Sequence, residues 1–232
     1  MRKGLFLIVL SLAYLAGIAQ DPVRVEDKIF NFGAKVGLNS AIPVITTFSI
    51  NGVNAENISY EYNVGLSAAL FFRINMDRFF IQPSLSWVQS SGNILFTMPT
   101  DDEQATSLDY QMAFNTKTLE VPVLIGYKII KEGPYGLSFM AGPNFKYNYD
   151  TRFTSYLSNF PHEYEKNQPY QINIVCGVGV SIWRFFFDVS YEFGINKTDS
   201  NFKDYNSEEA TDAKISINRH TNMMSFSLGF LF

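Results

Sequence analysis

Two histidines, His162 and His220, and one cysteine, Cys176, are the side chains of this 232-residue chain most readily used as bases, ligands or nucleophiles. A hydrolase or acyltransferase needs a nucleophile, a base and an orienting group within reach of one another. Both histidines fall in polar stretches that read as loops, and no such set accompanies them. A transition-metal site draws on several His or Cys side chains, and a lone cysteine makes no intrachain disulfide. Cys176 lies on the apolar side of an alternating segment, where it acts as a small hydrophobe. Gly177-Val-Gly179 lacks the third glycine and the following helix of a dinucleotide loop. The acidic runs Asp101-Asp-Glu103 and Glu208-Glu209 with Asp212 read as solvated charge. We therefore expect no catalytic residue, no cofactor and no metal. A net charge of −4 without a Lys/Arg block argues against nucleic acid as a partner.

The charges within alternating segments carry more information. Lys35, Glu61, Arg73, Glu120, Lys128, Lys146, Asp188 and Glu192 each fall on the polar face of a stretch with period two, and only Lys117 falls on an apolar face. The clearest stretch is Phe185, Phe187, Val189, Tyr191, Phe193 and Ile195 against Asp188, Ser190, Glu192, Gly194 and Asn196. Similar alternation runs through Phe32–Leu38, Tyr60–Phe72, Ile81–Trp87, Leu119–Tyr127, Tyr135–Tyr147, Ile172–Ile182 and Met224–Phe232, which makes eight strands. The connections alternate strictly. Short ones fall at about Asn75–Arg78, Lys131–Pro134 and Trp183–Arg184, and long polar ones at about Ala41–Ile58, Ser90–Met112, Asp150–Pro169 and Thr198–His220.

Residues 1–20 have the order of a secretory signal peptide: Arg2 and Lys3, an apolar run from Leu5, then Ala16, Gly17 and Ala19. That run is too short for a spanning helix, and no later stretch approaches the roughly 20 apolar residues one requires. A short periplasmic segment, residues 21–28, is expected before a barrel at 29–232. An exported meander with long loops at one end and tight turns at the other is what outer-membrane barrels show. A soluble lipocalin-like barrel would turn its apolar face inward, but it would need a far more charged outer wall than these strands supply.

The expected architecture is all-β: an eight-stranded antiparallel up-and-down transmembrane barrel with short periplasmic turns and long extracellular loops. A barrel of that size has an interior that side chains can fill, and buried charges there must be paired. The eight polar-face charges are therefore expected to form a lumen ion-pair network that closes the pore. Aromatics at the strand ends form two expected girdles. Phe30, Phe72, Phe79, Tyr135, Trp183, Phe185 and Phe232 lie at the short-turn side, and Tyr60, Trp87, Phe114, Tyr147 and Tyr170 at the other. Phe153, Tyr156, Phe160 and Tyr164 in the third long loop suggest a contact surface for protein or lipopolysaccharide.

The segments Phe32-Gly-Ala-Lys-Val-Gly-Leu-Asn39, Ile81-Gln-Pro-Ser-Leu-Ser-Trp87, Leu119-Glu-Val-Pro-Val-Leu-Ile-Gly-Tyr127, Ala141-Gly-Pro143, Cys176-Gly-Val-Gly-Val180 and Ser227-Leu-Gly-Phe-Leu-Phe232 resemble the PorT-like outer-membrane β-barrel family of Bacteroidetes. The resemblance implies a Gram-negative outer membrane. It implies that Phe226, Leu228, Phe230 and Phe232 form the signal read by the barrel-assembly machinery. It also raises an accessory role in type IX-like protein secretion. The primary expectation is a non-enzymatic structural or surface-interaction component in contact with outer-membrane lipid and lipopolysaccharide, with a small channel as a weaker alternative.

Overall fold

The computed structural model describes residues 28–50, 53–54, 56–98, 108–132, 134–155, 170–196, 198–202 and 215–232. Residues 1–20, expected as a signal peptide, most of the segment 21–28, His162, the acidic runs, and Tyr156, Phe160 and Tyr164 lie outside those residues. The strands are β1 (Phe30–Ile50), β2 (Val53–Asn54), β3 (Glu56–Tyr62), β4 (Val64–Met76), β5 (Phe79–Met98), β6 (Leu108–Glu132), β7 (Tyr135–Ser155), β8 (Tyr170–Ile182), β9 (Phe185–Gly194), β10 (Thr198–Phe202) and β11 (Ile215–Leu231). All pairings are antiparallel. Neighbours follow chain order, β1-β4-β5-β6-β7-β8-β9-β11, and β11 pairs back onto β1 from Gly33↔Leu231 to Ile50↔Ile215. The result is a closed ring of eight strands with no free edge at membrane depth, the condition lipid imposes on a sheet.

Burial decides which face is which. Val36, Leu70 and Phe187 are 62%, 52% and 60% exposed, while Gln82, Asn144 and Glu192 are 1%, 1% and 3% exposed. Apolar side chains point out and polar ones point in, the inverse of a soluble barrel. Among the described residues no helix is long and apolar enough to cross a membrane.

The turns at one end are tight. Asp77-Arg78 and Trp183-Arg184 each join adjacent strands through a residue of positive φ, 54° at Asp77 and 60° at Trp183. Aspartate tolerates that region, but tryptophan is strained there. Trp183 is among the most exposed apolar residues, a side chain suited to the membrane interface. Ring pairs at this end include Phe30–Phe72 at 5.6 Å and Phe185–Phe230 at 5.1 Å.

At the other end the strands run well beyond the expected boundaries. β1 reaches Ile50, β5 reaches Met98, β6 starts at Leu108 and β11 starts at Ile215, so much of the sequence expected as long loop is paired hairpin. His220, expected in a loop, is on β11 opposite Val44. Backbone pairing persists above the membrane because it needs no apolar face, which is why the alternation that marks lipid-facing strands gave no warning of it. Pro83, Pro122 and Pro143 sit beside gaps in the β4–β5, β5–β6 and β6–β7 ladders, where the missing N–H cannot donate.

Candidate functional site: a filled lumen and a polar outer rim

Strands β6, β7, β8 and β9 aim five polar side chains at one point of the lumen. Lys146 Nζ of β7 lies 2.9 Å from Glu120 Oε1 of β6 and 2.6 Å from Glu192 Oε1 of β9. Two residues along β7, Asn144 Nδ2 donates to Glu120 Oε2 at 3.0 Å and to Glu192 Oε2 at 2.9 Å. Asn173 Nδ2 of β8 donates to Glu192 Oε1. One ammonium and two amides thus clamp two buried carboxylates, the pairing and hydrogen bonding that buried charge requires. Nearby, Lys35 Nζ of β1 reaches Asp188 Oδ2 of β9 at 3.2 Å. Among these groups lies a cavity of about 60 Å³, room for a few ordered waters.

Toward the tight turns the lumen is closed by rings. Phe71, Phe80 and Phe186 point inward, and each lies opposite a glycine of the adjacent strand: Gly33, Gly126 and Gly229. A Cβ on those glycines would meet the ring at 2.2, 2.0 and 2.1 Å respectively, so only glycine leaves the ring its place. The Arg73 guanidinium sits over these rings, 4.5 Å from the Phe80 centroid and 5.7 Å from the other two. It also donates to Gln82 Oε1 through Nε and Nη2 at 2.9 and 2.7 Å. Lys128 is buried at the same end. Toward the other end, buried Ile94, Phe96 and Phe114 fill the barrel.

The ion pairs run obliquely to the strand register: Lys35 lies level with Gly229 and Gly229 with Phe186, yet the Lys35 ammonium reaches Asp188, because a lysine side chain is long and the strands are tilted. Arg73 is held by an amide and three rings. Glu61 leaves the lumen altogether. It is exposed on β3, opposite Asn93 of β5, and accepts from Asn93 Nδ2 at 3.0 Å. The break at Asn63 between β3 and β4 reverses the alternation that had placed Glu61 inside. Phe114, expected in the outer girdle, faces inward against Gly92, where a Cβ would meet its ring at 2.8 Å. The inward phenylalanines were foreshadowed by the doublets Phe71-Phe72, Phe79-Phe80 and Phe185-Phe186, since strict alternation must turn one member of each doublet inward.

Lys117 does lie on the outward face, and it has a partner there. Tyr149 is an extra residue in β7 where Lys117 pairs with Asp150 and Thr118 with Asn148. This bulge turns Asp150 and Arg152 outward. Asp150 then takes Lys117 Nζ and Arg152 Nε, each at 3.2 Å. The hydrogen bond from Lys117 holds the Asp150 carboxyl below the usual range, against a smaller opposing effect of desolvation and with further help from Arg152. The triad lines an open cavity of about 470 Å³ together with Asn63, Ser91, Gly92, Asn93, Ala113, Phe114 and Asn115. Trp87 Nε1 donates to Tyr149 Oη at 2.8 Å just below it, and the Tyr147–Tyr170 ring pair stands at 5.2 Å.

Among the described residues no group of three or more His, Cys, Asp or Glu is placed to hold a metal ion. The sequence model of a family described as "Outer membrane protein beta-barrel domain" matches residues 18–200. No curated protein matches the chain. Among solved structures, the chain is similar to the outer membrane protein OprG from Pseudomonas aeruginosa, with 12% identity, a TM-score of 0.52, and coverage of 88% of this chain and 97% of that one. Neisserial surface protein A aligns at 10% identity and a TM-score of 0.39, over 88% and 98%. The Escherichia coli outer membrane protease OmpT aligns at 11% and 0.42, over 90% and 100%.

Proposed function

The chain belongs to the outer-membrane β-barrel domain family, and from that premise we propose that it is a non-enzymatic barrel with a sealed lumen, acting as a structural or surface-interaction component of the outer membrane. The observation that carries this reading is the filling of the lumen: an aromatic seal on three glycines and, above it, a clamped charge cluster around a cavity of only about 60 Å³. Sealed-barrel chemistry assigns the ion pairs to holding the barrel together and leaves the extended hairpins as the surface offered outward. In this reading residues 1–20 direct export and are removed, and 21–28 stay periplasmic. Phe226, Leu228, Phe230 and Phe232 are the strand read by the assembly machinery, within a PorT-like lineage.

Conductance in a planar bilayer tests the seal. The native protein is expected to pass no steady current, whereas Phe80→Ala with Phe186→Ala opens the turn-side end and does. Steady ohmic current through the native barrel would replace this reading with that of a small channel. The extended paired hairpins also suit a protein partner, which favours a second reading as an accessory subunit of secretion. A stoichiometric partner recovered from native membrane in mild detergent would establish that reading, and recovery of the barrel alone would remove it.

A further inference from the structure

The polar cavity at the top of β5, β6 and β7 belongs to the outside of the barrel. β5 and β6 pair without a register shift from Ser86↔Glu120 to Met98↔Leu108. Alternation therefore carries the face of Leu85, Trp87 and Leu119 up through Ser91, Asn93, Asn115 and Lys117. Leu85 and Leu119 are lipid-facing, 57% and 42% exposed. The cavity thus begins directly above the Trp87–Tyr149 pair, where the hydrocarbon ends and the headgroups of the outer leaflet begin. At roughly 3.3 Å per residue along tilted strands, Lys117 to Asn93 rises about 10 Å, enough to cross a headgroup layer.

Its chemistry suits hydroxyl groups. Lys117 and Arg152 are compensated by Asp150, with Glu61 bound to Asn93 beside them. Net charge is therefore not what the wall offers. It offers the amides of Asn63, Asn93 and Asn115 and the hydroxyl of Ser91, in a volume of about 470 Å³. That volume falls in the range of small-ligand sites, roughly 300–1,000 Å³, but without their usual apolar lining. Amides donate and accept side by side, as vicinal sugar hydroxyls do.

We infer that this outward cavity binds the neutral saccharide portion of an outer-leaflet glycolipid, so that the barrel holds a specific headgroup against its rim. The inference rests on the surface-interaction reading and names the ligand class for it; the conductance experiment tests the seal independently.

The test uses the full barrel in nanodiscs, with retained lipid measured by native mass spectrometry after washing. Probes are rough lipopolysaccharide, the same material dephosphorylated, and lipid A alone. Rough and dephosphorylated lipopolysaccharide are expected to be retained about tenfold above lipid A, a difference of about 1.4 kcal/mol. Asn93→Leu and Asn115→Leu are each expected to bring retention down to the lipid A level while the heat-shifted gel band stays native. Equal retention of lipid A, loss of retention on dephosphorylation, or unchanged retention in both variants would overturn the proposal. So would binding of the delipidated core oligosaccharide to barrels in phospholipid nanodiscs as tight as that of the intact glycolipid, which would make the site one for soluble sugar.

Discussion

Strand β7 contributes to two charge triads of opposite composition. Inside, Lys146 stands between Glu120 and Glu192, with side chains 7%, 5% and 4% exposed. A few residues on, Asp150 stands between Lys117 and Arg152, with side chains 20%, 36% and 64% exposed. The inner triad is further tied by Asn144 and Asn173, which donate to carboxylates withdrawn from bulk solvent. The outer triad faces solvent and headgroups, where much of its Coulomb attraction is screened. Similar distances therefore correspond to very different energies: the inner triad joins three strands across the lumen, and a fourth through Asn173, while the outer one organises a surface. A single extra residue, Tyr149, separates the two environments.

The largest effect is expected at Lys146. Lys146→Met leaves two carboxylates buried without their cation and should cost about 3–5 kcal/mol, read as a lowered midpoint in urea unfolding from lipid vesicles. A cost below that of an exposed pair would mean that water enters the lumen freely, and the contrast between the triads would collapse. Deleting Tyr149 removes the bulge but leaves Asp150 opposite Lys117, because Asn148 already pairs with Thr118. It should cost about 1 kcal/mol, from the lost Trp87–Tyr149 hydrogen bond. A loss of several kcal/mol would show that the extra residue is needed to hold Asp150 outward.

Lys117→Met should cost less than about 1 kcal/mol, because an exposed pair contributes little. Acid should show the smallest effect. The folded Asp150 carboxyl titrates below its ordinary value of 3.8. Its contribution is therefore fully present above that value and is lost as pH falls through the depressed folded one. The stability difference between native protein and Lys117→Met should be constant from neutral pH down to about pH 4 and vanish below it. A difference that persisted in strong acid would point to a packing role for the Lys117 stem instead.

The crossing strands, the tight turns and the inward direction of Lys35, Arg73, Glu120, Lys128, Lys146, Asp188 and Glu192 were all legible in the sequence, because period two is a local property of an extended chain. The same rule made the Phe doublets readable as one ring inside and one outside. It failed at Glu61 and was silent at Asp150, because a break at Asn63 and an extra residue at Tyr149 each reverse the alternation without leaving a compositional mark. It also stopped short of Ile50 and Met98, which the strands reach by backbone pairing without an apolar face.

By itself, the sequence determined that the chain forms a barrel with its apolar side outward and few charges within. Tertiary structure alone decided which charge meets which, that Phe71, Phe80 and Phe186 rest on glycines, and that Lys117, Asp150 and Arg152 share an outward cavity with three asparagines. Cross-strand neighbours are set by register and shear around a closed ring, and those depend on every strand at once.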